Sequence, residues 1–165
     1  MRQLIPDTIN NKLDEIVTKC FALNRVYDRA MSILSIKFVM NNTVKFIHPK
    51  IAHKFPALAD VVSDYQGSRN NLTFYGLTPE DRSDYNSPLE FFEKILDEMY
   101  DFESLLSEAL ELSKDEDCVT YAFVLRFIEQ VSKVTEQCIL LADKASAYKD
   151  DWMLFDHNIE DFIIL

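Results

Sequence analysis

The stretch that decides the fold is Ser87–Val131, SPLEFFEKILDEMYDFESLLSEALELSKDEDCVTYAFVLRFIEQV. Ser87-Pro88-Leu89-Glu90 has the form of a capping box with proline at the first helical position. The serine oxygen can accept from a free backbone N–H, the glutamate can reach back, and a proline there costs no intrahelical bond. Behind this start, Phe92, Ile95, Met99, Phe102, Leu106 and Ala109 recur at three- and four-residue spacing, which places them on one face of a helix. Lys114 to Asp117 form a short charged turn. A second helix follows, lined by Tyr121, Val124, Ile128, Val131, Thr135, Cys138, Ala142 and Ala145, and so short a link makes it the antiparallel neighbour of the first.

Working back from Ser87, residues 71 to 86, NLTFYGLTPEDRSDYN, carry no sustained helical period and contain Gly76 and Pro79. A link this long inside one domain needs a structural reason, and a crossover between two parallel helices supplies one. Upstream of it, Ile51, Phe55, Leu58, Val62 and Tyr65 form a core stripe from His48-Pro49 to about Asn70, with Pro56 either kinking the helix or marking its true start. The first helix is expected from a cap at Asp7 or Thr8 to about Asn41, where Asn41-Asn42 breaks the pattern. Leu13, Ile16, Cys20, Tyr27, Met31, Leu34 and Phe38 share one side of it, and Asn24 lies inside that stripe as a polar group that needs a partner if buried. Val26, Ala30, Ile33 and Met40 form a second stripe nearly opposite. Two apolar faces on one helix predict packing against the helix's own bundle and against another subunit.

The prediction is therefore an all-α protein, a single domain over residues 1–165. It is an up-down-down-up four-helix bundle with a long crossover between the second and third helices and a C-terminal tail. Helices of ~25 residues would span roughly 35–40 Å. The tail, DDWMLFDHNIEDFIIL, is too apolar to stand in water and is expected to dock on its own bundle or on a neighbour.

Composition agrees and excludes several function classes. Apolar residues make up 48% of the chain with only 2 glycines, which disfavours a turn-rich β protein. The net charge of -11, from 17 basic and 28 acidic residues, disfavours a nucleic-acid partner, because phosphate binding needs clustered Lys and Arg. Cys20, Cys118 and Cys138 are odd in number and widely spaced, which reads as reduced thiols in a cytoplasmic protein. No apolar run approaches ~20 residues, so no membrane partner is expected. No nucleophile–base pair, phosphate loop or nucleotide motif is visible.

The run from Ser87 to Val131 resembles the third and fourth helices of a bacterial ferritin, and the four-helix order with its long link resembles the ferritin superfamily, including Dps-type mini-ferritins. That resemblance implies a ferritin-like bundle, hollow homo-oligomeric shells, oxidation of ferrous iron at a di-iron centre, and iron storage or detoxification. Such a centre draws carboxylates from all four helices and a Glu-x-x-His pair, since i and i+3 share a face. The sequence contains no Glu-x-x-His. Cys20 stands where the first helix would offer glutamate, and Phe55 and Leu58 stand where the second would offer Glu and His. Asp97 matches the third-helix glutamate, with Glu98 beside it. Glu129 and Gln130 fall near the first glutamate of the fourth helix, but Lys133 and Val134 replace the next pair. At most two of the usual ligands remain.

Other groups could hold a metal between subunits. His53, Asp60 and Asp64 fall on one helix face at i, i+7 and i+11, almost opposite the core stripe, and His48 is the best imidazole to join them. The candidate metal set is thus His48, His53, Asp60 and Asp64, with iron the expected ion, since imidazole and carboxylate suit it. The same residues also read as a solvated face, and His48 as a packing or capping histidine. Glu103, Glu129 and Glu136 could form a residual acidic pocket, and Asp156-His157 with Glu160-Asp161 a weak cation site. Two readings of function stay open. One is a ferritin- or Dps-like metal-handling protein that binds or sequesters iron in a homo-oligomer, at least a dimer. The other is a metal-free interaction or scaffolding protein of the same fold.

Overall fold

The computed structural model describes residues 2–165 and is all-helical over that range. The first long helix, α1, runs from Asp7 to Ile36. A reversal leads to α2 (Asn41–Ile47), a π-helical turn at His48–Ala52, and α3 (Lys54–Ser68), which together form the bent second arm. After the crossover come α4 (Pro88–Ser113) and α5 (Cys118–Tyr148), and the chain ends in a short α6 (Trp152–Asn158) with a 3₁₀ turn at Ile159–Phe162.

Side-chain bonds fix the directions. Gln66, at the end of α3, donates to Asp14 Oδ1 near the start of α1 at 2.8 Å, while Asn24 farther along α1 reaches back to Ala52, so the two helices are antiparallel. Lys12 and Lys19 of α1 pair with Glu108 and Glu98 of α4 in reversed order, so α1 and α4 are antiparallel too. Helices α3 and α4 are therefore parallel, as the crossover demands. Tyr65 at the end of α3 lies 2.7 Å from Thr120 at the start of α5, which closes the up-down-down-up bundle.

The ends form for local reasons. Ser87 Oγ accepts from Glu90 N, and the Glu90 carboxylate accepts from Asn86 N at 2.8 Å, a capping box displaced by one residue. Asp117 accepts from Val119 N and Thr120 N, both at 3.1 Å, and starts α5. Neither Asp7 nor Thr8 caps α1; Pro6 occupies that position, and Asp7 lies in the first turn. The first helix also stops earlier than expected, at Ile36, because the chain reverses through Val39 at φ 59°. Asn41-Asn42 begins the second arm rather than breaking the first. The core stripes of α1, α3 and α4 are buried as expected except at Phe38 and Tyr65, which are half-buried. On α5, Phe127, Val134 and Leu141 are buried while Tyr121 and Ile128 are only half so.

The second apolar stripe of α1 requires a correction. Ala30 and Met40 are buried, Ile33 is 6% exposed and Val26 is half-buried, all within the one chain. Residues 71 to 86 lie along this face and are tied to it. Thr18 accepts from Gly76 N, Phe21 packs on Tyr75, Arg25 donates to the Thr78 and Pro79 carbonyls, Arg29 to Ser83, and Lys37 to Tyr85. Gly76 is needed there, since a Cβ would sit 2.8 Å from Thr18 Oγ1. Periodicity marks a second apolar face but cannot show that an aperiodic link lies over it.

The tail docks on its own bundle. Phe155, Ile159 and Phe162 are buried, and Phe155 packs on Phe92. Gln137, fully buried on α5, donates to the Phe162 carbonyl at 2.8 Å and accepts from Ile164 N at 2.7 Å. Asp156 accepts from Thr43 N at 2.7 Å and Asn42 N at 3.3 Å, capping α2, whose own N-cap residue supplies no side-chain bond.

Candidate functional site

The middle of the bundle, where the resemblance puts iron, is packed with neutral groups. Tyr27 leans on Phe55 with centroids 5.4 Å apart and meets Phe91 edge-on at 5.5 Å, and its hydroxyl lies 3.3 Å from Cys138 Sγ. Cys20, Phe55, Leu58 and Val134 are buried in this layer. Burial pushes the Cys138 thiol up to about 11, and it pushes the Cys20 thiol and the Tyr27 phenol up as well, so all three stay protonated at neutral pH. The carboxylates aligned with family ligands point elsewhere. Asp97 and Glu129 are exposed, as are Gln130 and Lys133, while Glu98 is half-buried in an ion pair with Lys19 at 2.5 Å. Buried apolar side chains cannot replace charged oxygens around a cation. A bundle-centred di-iron group does not fit these residues.

Nor do Glu103, Glu129 and Glu136 face one another as an acidic pocket. Glu103 accepts from Thr135 Oγ1, and Glu129 and Glu136 face solvent. In the tail, Asp156 serves as the α2 cap, and His157, Glu160 and Asp161 are exposed. Among the described residues no group of three or more His, Cys, Asp or Glu is placed to hold a metal ion.

Of the four metal candidates the structure brings two together. The His48 and His53 rings lie 4.5 Å apart at 61°. In an α-helix, residues five apart point ~140° away from each other. The π-helical turn changes that: His53 N donates to the His48 carbonyl at 3.2 Å, an i to i+5 bond that winds the two positions onto one side. Two prolines frame the turn. Pro49 lies within it, and Pro56 sits in the first turn of α3. Pro56 has no N–H to give the buried Ala52 carbonyl, and Asn24 of α1 supplies the bond instead at 3.2 Å. That is the partner the polar residue in the α1 stripe required.

Asp60 and Asp64 do not join the pair. Both are exposed on α3, ~10 Å and ~16 Å along the axis from His53 at 1.5 Å per residue. A residue with no sequence signal stands beside His48 instead. Asp28, on the outer side of α1, places Oδ1 3.3 Å from His48 Nε2, with the two side chains 51% and 44% exposed. Its position depends on how α1 crosses the bent arm, which periodicity does not reveal.

The crossover leaves two further features. A cleft of about 810 Å³ opens between α1, α4 and residues 74–83, lined by Thr18, Lys19, Val26, Phe74, Lys94 and Glu98 among others. Beside it, Leu72, Phe74, Tyr75 and Leu77 project outward, Leu77 at 99% exposure and Leu72 at 84%. Their backbone is not loose. Asn10 donates to the Leu72 carbonyl, Asp14 accepts from Phe74 N, and Thr18 accepts from Gly76 N. Among the described residues no helix is long and apolar enough to cross a membrane.

No family model matches the sequence, and neither does any curated protein. Solved structures do match. An open-pore ferritin from the hyperthermophilic archaeon Archaeoglobus fulgidus superposes with a TM-score of 0.84 over 98% of both chains, at 13% identity. A closed form of the Archaeoglobus fulgidus ferritin, engineered by site-directed mutagenesis, gives 0.83 over 98% of both at 16% identity. A humanized archaeal ferritin gives 0.81 over 98% of both at 15% identity. The bundle, the crossover and the docked tail are all inside the matched span, and the chain has the ferritin-like fold.

Proposed function

We propose that this protein is a self-associating subunit of ferritin fold that serves as a structural or interaction component rather than as an iron-oxidising one. The observation that carries this reading is the pairing of a sealed, neutral bundle centre with a rigidly tethered apolar ridge at Leu72, Phe74, Tyr75 and Leu77. Fully burying one such side chain is worth about 1.5–3 kcal/mol. In a two-fold contact the same patch meets itself, so each residue counts twice. The interface moves accordingly from the α1 stripe, which the chain covers itself, to the crossover. Light scattering tests it: wild type should run well above the 19.2 kDa monomer, and Leu72→Asp/Leu77→Asp should run smaller with unchanged helix content. A wild-type monomer at all concentrations would refute it.

A second reading, metal handling with iron as cargo, is favoured by one specific observation, the His48–His53 pair. Its site would be on the subunit surface. Retention of iron after anaerobic loading of metal-free protein with ferrous ion, followed by desalting, tests that reading; no bound iron would remove it.

A further inference from the structure

The π-helical turn gathers positive charge on a strongly acidic protein. Residues 29 to 59 hold five of the 17 basic side chains and none of the 28 acidic ones, so the rest of the chain has 12 against 28. In a regular helix Lys45 and Lys54, nine residues apart, would point to opposite sides. The extra residue of the π-helical turn swings Lys54 back by about 100°, onto the side where Lys50 stands one helical turn before it. Lys45 and Lys50 hold their ammonium groups over one ring, that of Phe46, at 5.9 and 5.5 Å from its centroid. All three lysines are exposed, and among the described residues none of them forms an ion pair. Asp28 and Asp156 reach this arm but are engaged, by His48 Nε2 and by the Thr43 and Asn42 N–H groups.

The complementary surface is on the opposite corner of the bundle, since helix α1 packs between α3 and α4. On α4, Glu93, Asp97 and Asp101 recur every four residues, and Lys94 is the only basic residue of that helix. The three acids are exposed, and among the described residues they form no ion pair. Tyr100, 48% exposed beside them, offers a ring to ammonium groups as Phe46 does. Both rows run about 12–14 Å. They stand at similar heights, because Asn24 ties the π-helical turn, and Lys19 ties Glu98, to nearby turns of α1. One molecule cannot bring opposite corners together, but two can. We infer that the lysine row of one copy docks on the acidic α4 row of a second, a head-to-tail contact that builds a ring or an open row of subunits. The inference rests on the self-association reading and adds a face separate from the crossover ridge. A compact acidic row fits better than an extended polyanion, because a membrane sheet or a duplex laid over the lysines would also meet the surrounding acidic surface.

The test is light scattering of the full chain at about 0.01 M and about 1 M NaCl, where charges act over about 30 Å and about 3 Å. Wild-type mass should fall at least about twofold from the low salt to the high. Lys45→Glu/Lys50→Glu/Lys54→Glu and Glu93→Lys/Asp97→Lys/Asp101→Lys should each show the high-salt mass at low salt. The first carries acid on both faces and the second base on both, so mixing them in equal amounts should restore the wild-type mass. Glu129→Lys/Glu136→Lys/Asp143→Lys alters the net charge as much, on exposed α5 positions, and should assemble as wild type does. The substituted side chains are all exposed, and far-UV circular dichroism checks that every variant stays folded. A salt-independent mass, a wild-type mass in either reversed row, no recovery on mixing, or an equal loss in the α5 variant would each overturn the contact. Sedimentation with phosphatidylserine vesicles by a wild type that does not assemble at low salt would assign the lysines to a membrane and overturn it too. The series is repeated in Leu72→Asp/Leu77→Asp, which lacks the crossover contact, so failure of that contact is not confused with failure of this one.

Discussion

Helix α3 begins where it does because Pro56 cannot donate, and Asn24 fills that gap. Asn24 is half-buried and its Nδ2 lies 3.2 Å from the carbonyl of Ala52, a fully buried residue. Asn24→Ala leaves that carbonyl without a donor, at about 1–3 kcal/mol, less about 0.5 kcal/mol gained from the better helix former. The expected loss is about 1–2 kcal/mol. Pro56→Ala restores a backbone N–H four residues after Ala52, in the position that serves it in a regular helix. In that background Asn24→Ala should cost about 0.5 kcal/mol or less, which gives a coupling energy of about 1 kcal/mol, well outside the additivity error. Urea unfolding of the four proteins, followed by far-UV circular dichroism, measures all the terms of the cycle. An equal cost of Asn24→Ala in both backgrounds would show that Asn24 does not stand in for the missing donor.

Three other outcomes follow from the packing. Val39 holds φ 59° while 69% exposed, so Val39→Gly should relieve strain and lose little packing, raising stability by about 0.5–1 kcal/mol in the same urea assay. Gln137→Leu removes the two bonds from α5 to the last residues of the tail and should cost about 2 kcal/mol, with limited proteolysis cutting first within residues 149–165. Of the three thiols, Cys20 and Cys138 are buried with their thiols pushed up by desolvation and Cys118 is exposed, so a disulfide reagent on native protein should label Cys118 alone. Labelling of more than one thiol before unfolding would show the centre to be open.

The bundle was legible because its determinants are local: the Ser87–Glu90 box, the heptad-like spacing from Phe92 to Ala109, and the aperiodic run before Ser87. What stayed hidden depends on tertiary placement. The α1 stripe at Ala30 and Ile33 looks outward-facing until the crossover lies on it, and a charge at Ile33 would be buried at a 6% exposed position. Asp156 carries no sign that it caps a helix more than a hundred residues earlier. That the His48 and His53 rings lie together was not legible either, because regular α-helical geometry would separate them. The two prolines were the available signal that the helix there is not regular. Asp14, buried and bonded to Gln66 and Phe74 N, secures the start of the crossover although nothing in its sequence context marks it.

This ferritin-like bundle holds a packed, neutral centre at the position where the family resemblance puts iron. Crystals soaked anaerobically in ferrous iron and measured at the iron absorption edge address it directly. The packing of Cys20, Tyr27, Phe55, Leu58 and Cys138 predicts no anomalous peak among the four long helices of a subunit. Two peaks about 3.5–4 Å apart inside one bundle would contradict the account.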